Sequence, residues 1–311
     1  MIARKPLDVD PLMDFDFWIV DVFTGESFGG NQLAVVTDAT GMTTQQMQSV
    51  AREFGYSEST FVLPAKDPEH DAEVRIFTPA REVPFAGHPN VGTAYVISCL
   101  RHVADGTYTL YFEERAGLVK IEVERRNGQV MSAELSAPEP FTSQPGPDAA
   151  RCASALELHA ADVNVSSHAP CTISVGLPFL AIELTNYNAL RKSRLSLDAG
   201  QQLLDGTGAI GVFLYTFDST LDGIDIRARM YAPEHGITED AATGSANAAL
   251  AGLLAELDSA ADATFNWTVA QGVEMGRAST IQLGADKSAN QVTVTRVGGQ
   301  SALFARGTLT L

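Results

Sequence analysis

Cysteine is scarce in this chain: its 311 residues hold three, Cys99, Cys152 and Cys171, with no C-x-x-C spacing among them. That scarcity fits neither a disulfide framework nor a cysteine zinc site, and it points to a reducing compartment, so a cytoplasmic location is expected. Basic residues are also few. Lys and Arg number 21 against 38 Asp and Glu, for a formal net charge of −17 at pH 7. A field of that sign repels nucleic acid, polyphosphate and anionic membrane surfaces unless local dipoles override it. Long apolar runs are missing too: "FWIV" is stopped by Asp21, so neither a signal peptide nor a membrane span is expected. Walker and dinucleotide glycine patterns and His/Cys ligand sets are absent from the sequence, so the expected activity needs no cofactor and no metal.

What is present is a balanced globular composition, 45% hydrophobic, in a chain long enough for two domains in contact. The opening "MIARKPLDVDPLM" reads as an extended arm. Strand, turn and strand follow in "FDFWIVDVF", "TGESFGGN" and "QLAVV". In "TTQQMQSVAREFG", Met47, Val50, Ala51 and Phe54 fall at helical spacing, with Thr43 and Gln46 placed as a capping box and Gly55 as a left-handed stop. Further strands are expected at "STFVLP", "AEVRIFTPA", "TYTLYFEERAGLVKIEVERR" and "MSAELSAP". The proline-rich "PEPFTSQPGPDAA" then marks a domain crossing near residues 136–150.

The second half repeats the first. "SVGLPFLAIEL" echoes "GGNQLAVV", "SLDAGQQLLDG" is helix-like, and "IGVFLYTF" stands in the place of "ESTFVLPA". Arg75, Ile76, Phe77 and Pro79 align with Arg229, Met230, Tyr231 and Pro233. "HPNVGTA" then aligns with "DAATGSA", with a connecting loop two residues shorter in the second copy. This register pairs His88 with Asp240, Gly92 with Gly244, Thr93 with Ser245 and Ala94 with Ala246. Each copy ends in Gly-Thr/Ser-Ala and a helix, so each presents unpaired N–H groups of a first helical turn to an anion. Two such ends across a cleft make a site for a small carboxylate. His88 and Asp240 would face each other over it, although a loop histidine and an N-cap aspartate are the plainer readings of each alone. Glu58, in the polar "YSEST", reads as a surface glutamate by position; beside Asp240 in a water-poor cleft its pKa would rise toward neutrality, which suits proton transfer in both directions.

The blocks "DVFTGESFGGNQLAVV", "FGYSESTFV", "RIFTPAREVPFAGHPNVGTA", "EDAATGSANAALAGLL" and "QGVEMGRAS" resemble, in this order, those of the PhzF family of phenazine-biosynthesis-like proteins. The resemblance implies an α+β fold of the diaminopimelate epimerase type: two pseudo-symmetric domains, each a mostly antiparallel sheet wrapped around a central helix. It sets the domains at 1–136, joined by the C-terminal strand 296–311, and at 137–295, with the active site between them and a homodimer as the common assembly. It implies a cofactor-independent isomerase acting on a small carboxylic acid, like the isomerases of trans-2,3-dihydro-3-hydroxyanthranilate, with Glu58 as the acid/base. His88, Asp240 and Ser245 would bind and orient substrate, and Gly87, Thr243 and Gly244 complete the substrate-binding set. Gln32, Ala241 and Ala278 stand where many relatives have proline. An epimerase or racemase of the same fold and a non-catalytic small-molecule-binding protein are the alternatives. The cysteine pair of the epimerase relatives is missing, which puts two-base racemisation behind isomerisation.

Overall fold

The structure, a computed structural model, describes residues 12–101, 103–232 and 237–311. Most of the expected N-terminal arm therefore lies outside the described residues. Strand β1 (Asp14–Val22) pairs with β2 (Asn31–Val36), helix α1 (Thr44–Phe54) crosses to β3 (Glu58–Leu63), and β4 (Ala72–Phe77) and β5 (Glu82–Val83) lead into helix α2 (Gly87–Leu100). The meander β6 (Gly106–Glu114), β7 (Gly117–Arg126) and β8 (Gln129–Ser136) follows. The second half runs through β9 (Thr142–Pro145), α3 (Ala149–Ala155), β10 (Cys171–Ser174), β11 (Pro178–Glu183), α4 (Tyr187–Lys192), α5 (Leu197–Leu204) and β12 (Val212–Thr216). It continues with β13 (Ile226–Ala232), β14 (Ile237–Asp240), α6 (Gly244–Leu257), β15 (Ala263–Gln271), β16 (Ser279–Ser288), β17 (Gln291–Gly299) and β18 (Ser301–Thr310).

The pairing order shows the duplication directly. From one edge it runs β18, β1, β2, β3, β4, β6, β7, β8. Antiparallel pairing of β8 with β17 then carries it through β16, β15, β13, β12, β11 and β10 to β9. The parallel contacts fall at matching places, β2 with β3 and β4 with β6 in one half, β11 with β12 and β13 with β15 in the other. Helix α2 and helix α6 are each enclosed by the strands of their own half and buried on nearly every side. Their sequences, "GHPNVGTAYVISCL" and "GSANAALAGLLAEL", carry no amphipathic stripe, as a helix without a solvent face requires. Small side chains let the sheets close around them. Helix α1 packs on the outside of the first half through Met47, Val50 and Ala51; its capping box of Thr43 and Gln46 and its left-handed Gly55 (φ 69°) form as the spacing predicts. Among the described residues, no helix is long and apolar enough to cross a membrane.

The repeat is real, but its expected register is not. Arg75 makes a two-pronged ion pair with Glu82 seven residues on, and Arg229 makes the same pair with Glu239 ten residues on. The second connection is thus three residues longer, not two shorter. Helix α2 starts at Gly87 and helix α6 at Gly244. Asn90 Nδ2 donates to the Ala86 carbonyl and Asn247 Nδ2 to that of Thr243, both at 3.0 Å. The shared unit is therefore G-x-x-N, and it makes His88 the counterpart of Ser245 and Val83 the counterpart of Asp240. Gly92, expected to open the helix, sits in its second turn. A Cβ there would come within 2.6 Å of Leu33 Cδ2 and 2.7 Å of Val22 Cγ2, so this glycine lets the sheet approach the helix. Gly92→Val should lower unfolding stability by about 2 kcal/mol through overpacking; urea unfolding midpoints measure this, and a midpoint equal to the parent's would contradict it.

Candidate active site

The two central helices meet end to end. A Cβ on Gly87 would lie 3.3 Å from both Gly244 Cα and Ser245 N, and one on Gly244 would lie 3.4 Å from Gly87 Cα and His88 N. A Cβ at Gly87 would press tightly on the opposite helix start, and one at Gly244 would just touch it, so neither position leaves room for a longer side chain directed at the other helix. Neither start has a side-chain cap: Ala86 has no oxygen to offer, and Thr243 does not cap its own helix. The first intrahelical bond of helix α6 runs from Asn247 N to Thr243 O, leaving the N–H groups of Gly244, Ser245 and Ala246 without helical partners. Pro89 removes one donor from the opposite end. Two partial positive charges and several N–H donors thus converge, which is the arrangement that holds a carboxylate.

Three side chains gather beside this junction. Glu58 opens β3, with its side chain 22% exposed, and His88 in the first turn of helix α2 is 6% exposed. His88 Nδ1 lies 3.7 Å from Glu58 Oε2, too far for a hydrogen bond. Burial pushes the imidazole pKa down to about 3, against a smaller opposing pull from the Gln32 carbonyl. His88 is therefore neutral, and the contact is not an ion pair. Its Nε2 is buried with no partner among the described residues.

Asp240, the last residue of β14, is tied on both carboxylate oxygens. Oδ1 accepts from Asn31 Nδ2 at 2.9 Å and Oδ2 from the Thr243 hydroxyl at 2.6 Å. Asn31 also donates to the Ala242 carbonyl at 2.9 Å and accepts from Ser57 Oγ at 3.2 Å, so a single amide from the first half anchors the second half's acid. Arg277 secures the same crossing: its guanidinium binds Asp21 at 2.7 Å and the carbonyls of Gly29 and Gly30 at 2.6 and 3.1 Å. Burial raises the Asp240 pKa to about 6 against the pull of Thr243, Asn31 and the backbone N–H groups of Ala241 and Ala242. Burial first, and the Asp240 charge second, raise Glu58 to about 7, with only the Ser57 hydroxyl opposing. The donors are divided unequally, so Asp240 is the more readily ionised of the two, and Glu58, raised to about 7, can both take and give a proton near neutral pH. Among the described residues no three His, Cys, Asp or Glu side chains group as a metal site needs.

Glu58, His88 and Asp240 therefore come together around Gly87 and Gly244, with Thr243 and Ser245 half-buried on either side of the latter. Asn31, Ser57, Asn247 and Gln271 belong to the same assembly and were not singled out from sequence. The repeated G-x-x-N spacing would have found Asn247, and with it the true register.

Folded pKa values above the ordinary carboxyl range mean that the folded state holds protons the unfolded chain releases. The stabilisation from Glu58 is full below about pH 4 and is lost as the pH rises through about 7. Glu58→Gln, which cannot ionise, should be more stable than the parent at pH 8 by about 2 kcal/mol and closely matched to it at pH 4. Urea unfolding at the two pH values measures the difference; equal stability at pH 8 would contradict the buried acid.

Residues 20–307 match the family described as phenazine biosynthesis-like protein. The trans-2,3-dihydro-3-hydroxyanthranilate isomerase of Pseudomonas fluorescens is 36% identical over 299 residues, covering 95% of this chain and 99% of that protein. The crystal structure of a PhzF-family phenazine biosynthesis protein of Bacillus anthracis matches with a TM-score of 0.86 at 20% identity, covering 96% of this chain and 100% of that one. A hydroxyproline epimerase of Agrobacterium vitis matches with a TM-score of 0.61 at 14% identity, covering 96% and 93%. These two carry the fold likeness; the sequence match carries the kinship. With a match spanning both halves and both helix starts, the chain belongs to the PhzF family of phenazine biosynthesis-like proteins.

Proposed function

We propose that this protein is a cofactor-independent isomerase in which Glu58 moves one proton between two carbons of a small cyclic carboxylic acid, with trans-2,3-dihydro-3-hydroxyanthranilate as the first substrate to test. The observation that carries this reading is the carboxyl pair, one member tied as an anion and the other raised to about 7. The substrate carboxylate lies between the helix starts, on the N–H groups of Gly87, His88, Gly244 and Ser245 and on the Ser245 hydroxyl. Asp240, oriented by Thr243, and His88 hold the other polar substituents. Glu58, ionised, takes a proton from a ring carbon activated by its neighbours. It then returns that proton to a second carbon of the delocalised anion, so no co-reactant is consumed. An epimerase would need a second free base opposite Glu58, and both Asp240 oxygens are already engaged as acceptors.

The two halves act as domains, 1–136 with the C-terminal strand and 137–295, that draw together on the ligand and shed water from Glu58. A cytoplasmic homodimer serving a biosynthetic route completes the proposal, drawn from the family resemblance.

Glu58→Gln should stay folded and bind carboxylate analogues while losing turnover by about 10²–10⁴-fold, since an amide cannot exchange the proton. Steady-state assay measures this, and retention of a tenth of parent activity would overturn the role. Ser245→Ala should weaken binding of a carboxylate ligand by about 1–2 kcal/mol with little change in unfolding midpoint. Calorimetric titration tests it; unchanged affinity would remove Ser245 from the site.

A further inference from the structure

Gln271, the last residue of β15, is fully buried, and its amide sits at a junction of four hydrogen bonds. Nε2 donates to the Asp240 carbonyl at 2.9 Å and to Thr243 Oγ at 3.1 Å. Oε1 accepts from Asn247 Nδ2 at 2.7 Å and from Thr243 N at 3.3 Å. Asn247 Nδ2 also donates to the Thr243 carbonyl at 3.0 Å, so the Asn247 amide can only be a donor toward Gln271. That settles which end of the Gln271 amide is oxygen, and hence that Nε2 faces Thr243 Oγ. Since Nε2 accepts nothing, the single Thr243 hydroxyl proton is kept off that side and goes to Asp240 Oδ2, 2.6 Å away.

We infer that Gln271 is a positioning residue that locks the Thr243 hydroxyl as a donor to Asp240 and so decides which of the two site carboxyls bears the charge. The duplication supplies an independent comparison. Glu114 ends β6 as Gln271 ends β15, and it lies beside Asn90 as Gln271 lies beside Asn247. The first half tolerates a buried acid there because its counterpart of Asp240 is Val83. Beside Asp240 an acid would add charge and compete for the hydroxyl proton, and an amide does neither. Among the described residues the titratable group coupled to Asp240 is Glu58, whose proton affinity it raises; the neutral His88 lies beside Glu58.

The inference rests on Glu58 and Asp240 being the working pair, but its test needs no substrate. Carboxyl ¹³C NMR titration of the whole protein, with resonances assigned through Glu58→Gln and Asp240→Asn, follows both groups in the parent and in Gln271→Met. The expected result is a divergent response: the Asp240 midpoint rises by about one pH unit as a charge-assisted donor is lost, and the Glu58 midpoint falls because its neighbour is less charged. Thr243→Val, which deletes the hydroxyl itself, should do the same, and adding Gln271→Met to it should add less than half of the separate effect. Gln271→Leu, a second apolar replacement that removes both Nε2 donors, must move the pair in the same direction. General loosening would admit water and lower both midpoints. That result, an unchanged Asp240, full additivity, or loss of the native near-UV spectrum in both Gln271 variants would overturn the inference.

Discussion

Everything in the site depends on two helix N-termini held in contact. Each carries about half a positive charge, and like charges at this range repel, so the junction between Gly87 and Gly244 is electrostatically unfavourable by itself. It persists because both helices are buried through their N-terminal turns and because glycine at both positions lets the two starts touch. The same contact explains how a protein of net charge −17 attracts an acid. The long-range field repels anions, but the local potential at two uncapped helix ends is positive, and a bound carboxylate relieves the repulsion between them.

A second constraint follows. Two carboxyl groups lie beside this positive junction in a region poor in water, and burial alone would leave both protonated near neutral pH. What separates them is the supply of donors. Asp240 receives Asn31, Thr243 and backbone N–H groups, whereas Glu58 is offered only the Ser57 hydroxyl, whose one proton Asn31 Oδ1 also accepts. Two links of the network cross between the halves, from Asn31 to Asp240 and from Arg277 to Asp21.

The elements with local signatures were legible in the sequence. Helix α1 announced itself through its capping box, apolar spacing and Gly55 stop, and strands β4 and β13 through the repeated Arg-x-aromatic-x-Pro. The family blocks pointed to Glu58, His88, Asp240 and Ser245, and these lie around one junction. The register of the repeat was misread because Gly-Thr-Ala and Gly-Ser-Ala match as letters although they stand one turn apart in their helices. The asparagine that ties each helix start to the preceding carbonyl is the physical marker, and its role shows only once the helix start is known. Asn31 and Gln271 escaped for a related reason. A polar side chain at the end of a strand reads as solvent-facing, and nothing local reveals that residues distant in sequence bury it, from the other half at Asn31 and from the start of helix α6 at Gln271.

The most direct test is a crystal structure of the protein with a bound carboxylate substrate analogue. The expected result is the carboxylate between Gly87 and Gly244, within about 3 Å of N–H groups from both helices, with Glu58 against a ring carbon and Asp240 against a polar substituent. A ligand bound by one helix start alone, or one whose carbon atoms all lie beyond contact with Glu58, would contradict the junction of the two helices as the basis of function.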